Sequence, residues 1–186
     1  MTPSDDALVR VIEALEGAGI PHMIVGSLAA NFHGIPRSTR DADFVVELQP
    51  GSLRRLEQLL PVEMALDPQS AFEGVTGTIR HIIHLRGSAF VCELFELSDD
   101  PHDRERFSRR QATRLLGARS FVATAEDMVV TKLRWASGGS RSKDRDDVRN
   151  IVAVQGDSLD WDYLTRWTSA HGTSALLAEI RASISG

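Results

Sequence analysis

The chain has 186 residues, 42% of them apolar, and a formal net charge of −5. That length and apolar share suit one folded domain and exclude a disordered polyelectrolyte, and the negative balance gives no global attraction to nucleic acid or an anionic membrane. A single cysteine, Cys92, excludes an internal disulfide and points to a reducing, cytoplasmic compartment; MTPSDDALVR has no apolar leader, and no run approaches the roughly 20 apolar residues of a membrane helix.

In chain order, Leu8, Val11, Ile12 and Leu15 share one helical face over residues 6–17, and Gly17 and Gly19 end that helix. Residues 22–25 form a short apolar run, a buried strand before the Gly26-Ser27 turn. Ser27 is expected to cap a short helix through Phe32, stopped by His33-Gly34-Ile35-Pro36. Residues 41–48 read as a strand, and residues 50–60, with Leu53, Leu56, Leu59 and Leu60 on one face, as a helix. Residues 78–85 and 89–97 read as strands joined by an Arg86-Gly87-Ser88 turn. Residues 104–110 suggest a short basic helix and 120–123 a last strand. Four helical segments follow, 124–136, 142–154, 160–171 and 173–184, with Thr124–Asp127 and Asp160 as start signals. The expected organisation is a mixed α/β core over 1–123 and a helical C-terminal region over 124–186.

Within this frame Asp41 and Asp43 stand out. Residues i and i+2 of a strand share a face, so the two carboxylates are presented together. At about 4 Å and an effective dielectric near 20 they repel by roughly 4 kcal/mol, a large cost against about 5–15 kcal/mol of net stability. Screening by water on an exposed edge strand is the ordinary explanation for a bare Asp-x-Asp. The flanks argue for more. A buried strand, Gly26-Ser27 and a thirteen-residue spacer precede the pair. A glycine lets backbone amides approach a phosphate closely, and Ser27 adds a hydroxyl. Two hard oxygen ligands on one face suit Mg²⁺, which binds through one or two carboxylates plus substrate phosphates. The segment supplies both halves of a Mg²⁺–triphosphate site.

Hydrophobic-Gly-Ser, this spacer and Asp-hydrophobic-Asp-hydrophobic resemble the polymerase-beta-like nucleotidyltransferase superfamily. The resemblance implies a third carboxylate on a neighbouring strand. FVCELFEL offers Glu93, one methylene longer than the Asp usual in the family; Glu96, an odd number of residues along, is expected to face away. GIPRSTRDADFVV, LFELSDDPHDRERFSRR and TAEDMVVTKLRWASGGSRSKDRDDVRNI extend the likeness over about residues 20–155, towards a bacterial branch related to abortive-infection type nucleotidyltransferase toxins. In that branch Lys132 and Asp147, the latter in a stretch with Lys143-Asp144, complete the site.

The resemblance implies an α/β (α+β) nucleotidyltransferase core, a small mixed sheet flanked by helices, with the C-terminal helices closing the cleft. It implies Mg²⁺-dependent transfer of a nucleoside monophosphate from an NTP to a hydroxyl acceptor. Two Mg²⁺ ions would sit on Asp41, Asp43 and Glu93, and Gly26, Ser27 and Lys132 would hold the phosphates. The setting it suggests is a toxin–antitoxin or phage-defence system with a cognate antitoxin or toxin partner, and the acceptor an RNA end (such as a tRNA) or a protein. The alternative is a nucleotide-binding toxin–antitoxin component without turnover, which the Glu at the third position favours.

Other residues have competing readings. Lys132 is mid-helix in an apolar setting: a phosphate-binding point charge or a snorkelling surface lysine. Asp144 and Asp147 are i,i+3 neighbours, either a solvated face or, for Asp147, a group that orients the lysine or deprotonates the acceptor. His81 and His84 should point to opposite faces of their strand, which argues against a zinc pair. Cys92 reads as a core thiol and His33 as a packed loop histidine. Residues 104–119 hold six arginines against Glu105 alone. Either these arginines pair with acids of the C-terminal helices, or they guide an RNA acceptor.

Overall fold

The structure, a computed structural model, describes residues 2–74, 77–138 and 142–184. Helix α1 (Pro3–Gly17) opens with a capping box, Thr2 accepting from the Asp5 amide and Asp5 from the Thr2 amide, and buries Leu8, Val11, Ile12 and Leu15. The wholly buried β1 (His22–Val25) leads straight into α2 (Gly26–His33). β2 (Asp41–Val46) then returns antiparallel to β1. There follow α3 (Ser52–Leu59), β3 (Met64–Leu66), β4 (Ala71–Glu73), β5 (Thr78–Leu85), β6 (Val91–Glu96), α4 (Pro101–Ser108), β7 (Gln111–Leu115) and β8 (Ala118–Val122). The chain ends in α5 (Ala125–Ser137), α6 (Ser142–Gln155), α7 (Trp161–Ala170) and α8 (Ser174–Ala182). No helix among the described residues is long and apolar enough to cross a membrane.

All the strands form one sheet in the order β3-β5-β6-β2-β1-β8-β7, with β4 also paired to β5. It is mixed, as expected: β2–β6 and β1–β8 run parallel and the other pairs antiparallel. Alternation puts Ala42, Phe44 and Val46 with Cys92 and Leu94 on one face, all buried. Asp41, Asp43 and Val45 share the other with Glu93 and Phe95. α2 lies against β1, β2, α5 and α6, so the polar end of this second face is roofed by helices from both parts of the chain. A single cluster of buried side chains runs from Leu15 and Phe44 through Met128 and Leu133 to Ile151, Leu164 and Ile180, across the 123/124 junction.

Some elements depart from expectation. β3 and β4 span three residues each and exist through pairing with β5, too short for any period to show in sequence. Ser27 does not cap α2; Val25 is the N-cap residue, without a side-chain bond, and Ser27 lies inside the first turn. α4 begins at Pro101, because Asp100 accepts from the amides of His102 and Asp103. The arginine-rich stretch continues into a β7–β8 hairpin, whose turn residues Leu116 and Gly117 have φ of 51° and 91°. Positive φ at both positions is the two-residue hairpin geometry usually announced by Asn-Gly, and leucine at the first position hides it.

Candidate active site

β1 ends beside the aspartates: Val25 pairs with Asp43, and the next residue, Gly26, has φ +62°. A Cβ at Gly26 would stand 1.8 Å from Asp43 Oδ2. Glycine is therefore required twice, for the left-handed backbone and for the space. The first turn of α2 is thereby pressed against a carboxylate. Gly26→Ala is expected to lower stability by about 1–3 kcal/mol and to remove any thermal shift produced by Mg²⁺ with a triphosphate. Melting curves with and without these ligands check both effects.

The parallel β2–β6 register sets Asp43 directly opposite Glu93 and Asp41 opposite Val91, bringing Asp41, Asp43 and Glu93 to one corner of one face. Burial, then the charges of Asp41 and Glu93, push the Asp43 carboxyl up to about 7, against an opposing pull from Lys132. Hard oxygen donors that repel one another, beside a backbone turn so close to Asp43 that it admits no Cβ, fit a divalent cation of the Mg²⁺ class. Two groups hold the outer carboxylates: Thr39 Oγ1 donates to Asp41 Oδ1 at 2.6 Å, and Arg80 Nη1 donates to Glu93 Oε1 at 3.0 Å. Glu96 is on the opposite face, 2.8 Å from His81 Nε2. His84 instead meets Asp67, so the two histidines do not converge.

Lys132 is neither exposed nor snorkelling. Its side chain is 3% exposed, with Nζ 2.8 Å from Asp144 Oδ1 and 3.0 Å from Asp147 Oδ2, and it sits over the Trp135 ring. Asp147 is shared. Arg37 donates to it through Nε at 2.9 Å and Nη2 at 3.0 Å, and Nη2 also donates to Ser27 Oγ at 2.9 Å. Burial raises the Asp147 carboxyl, but Arg37 and Lys132 outweigh that and hold it below the usual carboxylate range. Asn31 grips the Arg37 backbone from both sides, accepting from its amide at 3.0 Å and donating to its carbonyl at 2.6 Å. A continuous polar chain thus runs from Asn31 and Arg37 through Ser27 and Asp147 to Lys132, whose charge reaches Asp43. His33 is tied off elsewhere, its Nε2 2.6 Å from the Ala123 carbonyl oxygen.

Among the residues carrying the site, Arg37, Thr39 and Arg80 have no counterpart in the expectations from sequence. A signal for the first two was present: Arg37-Ser38-Thr39-Arg40 is a polar run directly before the aspartate pair, where a plain connection needs no charge. Of the arginines in 104–119, Arg104 pairs with Glu47 and Asp99, and the buried Arg106 with Asp103. Arg109 lies over Tyr163 near Asp127, and Arg110 over Phe107. Arg114 donates to the Gly117 carbonyl at 3.1 Å, so five of the six are engaged within the protein.

The mixed sheet flanked by helices matches the fold of nucleotidyltransferase-like proteins among solved structures. Among solved structures the chain is similar to ANT(2'')-Ia, an antibiotic-resistance factor, with a TM-score of 0.63 at 11% identity over 96% of both chains. A second structure of ANT(2'')-Ia, in complex with adenylyl-2''-tobramycin, gives 0.59 at 12% identity over 91% of this chain and 99% of that one. An antigenic nucleotidyltransferase-like protein from Paracoccidioides brasiliensis gives 0.56 at 14% identity over 95% and 91%. No protein-family model and no curated protein sequence matches the chain. At these identities the likeness is one of fold.

Proposed function

We propose that the protein is a divalent-cation-dependent nucleotidyltransferase that moves a nucleoside monophosphate from an NTP to a hydroxyl acceptor. The observation that carries this reading is the Asp41–Asp43–Glu93 corner closed by Gly26. In the reaction the acceptor oxygen bonds to the α-phosphorus, the bond to the bridging oxygen of pyrophosphate breaks, and the acceptor proton passes to a base. Asp41, Asp43 and Glu93 would hold two Mg²⁺ ions, which supply charge stabilisation to the attacking and leaving oxygens. The first-turn amides of α2 at Gly26 and Ser27 would donate to phosphate oxygens. Lys132, steadied by Asp144 and Asp147, contributes positive potential, and Arg37 fixes Ser27 and Asp147 together. Glu93 is the candidate base.

Incubation with each labelled triphosphate, Mg²⁺ and candidate acceptors tests the reading. Three acceptor classes separate cleanly: an RNA end such as a tRNA; a protein hydroxyl, on a partner toxin or antitoxin if the protein belongs to the abortive-infection branch; and a small molecule such as tobramycin, whose adenylyl-2'' form is bound in the ANT(2'')-Ia structure. Engagement of Arg104, Arg106, Arg109 and Arg110 inside the fold weighs against an RNA track along that segment. Glu93→Gln is expected to lower turnover by about 10²-fold or more while calorimetric affinity for a non-hydrolysable triphosphate changes little. Lost binding with intact turnover would contradict the assignment.

The Arg80–Glu93 ion pair favours a second reading, a nucleotide-binding component with little turnover, because the guanidinium competes with a cation for that carboxylate. A triphosphate-dependent rise in melting temperature without label transfer to any acceptor identifies it.

A further inference from the structure

Away from the carboxylate corner, Asp100, His102 and His171 converge where the start of α4 meets the end of α7. One ligand atom from each lies within 4.8 Å of the others. His102 is fully buried; its Nδ1 has no hydrogen-bond partner, and its Nε2 faces the Asp127 carboxylate at 3.5 Å. His171 Nδ1 is likewise buried without a partner. A fully buried imidazole nitrogen left without a partner is costly and uncommon. Trp167 is tilted over His102 at 4.8 Å between ring centroids and stacks on His171 at 5.5 Å, so the rings beside Nδ1 offer it no acceptor.

We infer that Asp100, His102 and His171 form a binding site for a borderline-soft divalent cation of the zinc class. Two imidazoles and a carboxylate are a ligand set that zinc accepts, with water in the fourth position. The roles within the trio follow from its contacts. His102 Nε2 stands 3.5 Å from Asp127 Oδ1, so Nδ1 is assigned to the ion. A carboxylate behind the far nitrogen of a ligating histidine fixes its tautomer and raises its basicity. Asp127 is itself anchored, accepting from Thr124 Oγ1 at 2.6 Å and from the Tyr163 hydroxyl. Asp100 Oδ1 caps α4 through two amides, which leaves Oδ2 for the ion. Arg134, 3.6 Å from Asp100, is the cation that an incoming metal must displace or tolerate. Ligand atoms around a tetrahedral zinc are about 3.4 Å apart, so the trio must draw in on binding, which the half-exposed His171 at the end of α7 can do. Bound there, the ion clamps α7 to the segment that follows β6 and Glu93.

This inference is independent of the proposed transfer activity, and the test keeps the two apart. The full-length chain, stripped of metal, is titrated with Co²⁺ and followed by visible absorption, then by competition with Zn²⁺. The wild type and an Asp41→Asn/Asp43→Asn double variant are each expected to take up one equivalent with the intense bands of a four-coordinate ion and to melt at higher temperature with Zn²⁺. His171→Ala, at a partly exposed position that should not compromise folding, is expected to lose at least about tenfold in affinity, and Asp100→Asn to weaken binding in the same direction. No cobalt uptake by the wild type overturns the inference. So does wild-type affinity in His171→Ala, or binding abolished by the Asp41/Asp43 double variant, which would place the ion at the carboxylate corner.

Discussion

Asp43→Asn is expected to abolish nucleotidyl transfer and, in the metal-free protein at pH 8, to raise the melting temperature. The two effects have one cause. In the fold the Asp43 carboxyl titrates at about 7 instead of 3.8, because it is buried beside Asp41 and Glu93. For an acid whose folded pKa is raised, folding favours the protonated form. Below about pH 4 both folded and unfolded states are protonated and the site costs nothing. Between pH 4 and 7 the unfolded chain ionises first and stability falls; above 7 the full penalty is present, on the order of a few kcal/mol. The asparagine amide carries no charge to desolvate and can still donate to Glu93 as the protonated carboxyl does. Its stabilising effect should therefore be large at pH 8 and vanish near pH 4. The same substitution removes the carboxylate placed between Gly26 and Glu93, so transfer should fall by at least about 10²-fold. Thermal scans at the two pH values, with label transfer at saturating Mg²⁺, measure both. A variant that melts lower at pH 8, or that transfers at close to the wild-type rate, would sink the assignment of Asp43. Asp41→Asn should match it in activity with a smaller gain in stability, since Asp41 lies at the open end of β2 and is already held by Thr39.

What could be read in the sequence and what could not divide along physical lines. The period of two on β2 places Asp41 and Asp43 on one face without any structure. A strand pairing in register then accounts for Glu93 opposite Asp43 and for Glu96 turned away with His81. These are local rules. Lys132 shows where local rules stop: a lysine among Val129, Leu133 and Trp135 looks alike whether it reaches solvent or two buried acids on α6, and only packing of α5 on α6 decides. Arg37 is similar. Its role depends on Asn31 holding the loop and on Asp147, 110 residues away in sequence, coming within 2.9 Å. Three-residue strands such as β3 leave no pattern to read, and a hairpin turned at Leu116-Gly117 carries none of the usual turn chemistry. The arginine-rich stretch was legible as basic but not as satisfied, because its partners Glu47, Asp127 and Tyr163 are scattered along the chain.

Lys132→Met should be the most destabilising single change at the site. The lysine side chain is 3% exposed, and its ammonium is the cation that stands against both Asp144 and Asp147 across the α5–α6 contact. Methionine keeps much of the stem's packing and removes the charge, so the loss reports on electrostatics more than on volume. Breaking a buried pair by deleting one partner typically costs about 3–5 kcal/mol, because the remaining charge stays desolvated. In a chain of this length that corresponds to a fall in melting temperature of roughly 10 °C. Asp147 keeps its bidentate contact with Arg37. A companion Asp144→Asn substitution removes one of the two acids that faced the lysine and should recover part of the stability, which a purely steric effect of methionine would not allow. Triphosphate affinity separates the lysine's two roles. If it also supplies potential to the phosphates, affinity stays low in the double variant after the fold is restored. If it serves only to hold α6, affinity returns with stability, and Lys132 leaves the list of nucleotide-binding groups. A single variant that melts with the wild type would mean that the ion pairs of Lys132 contribute nothing to the fold.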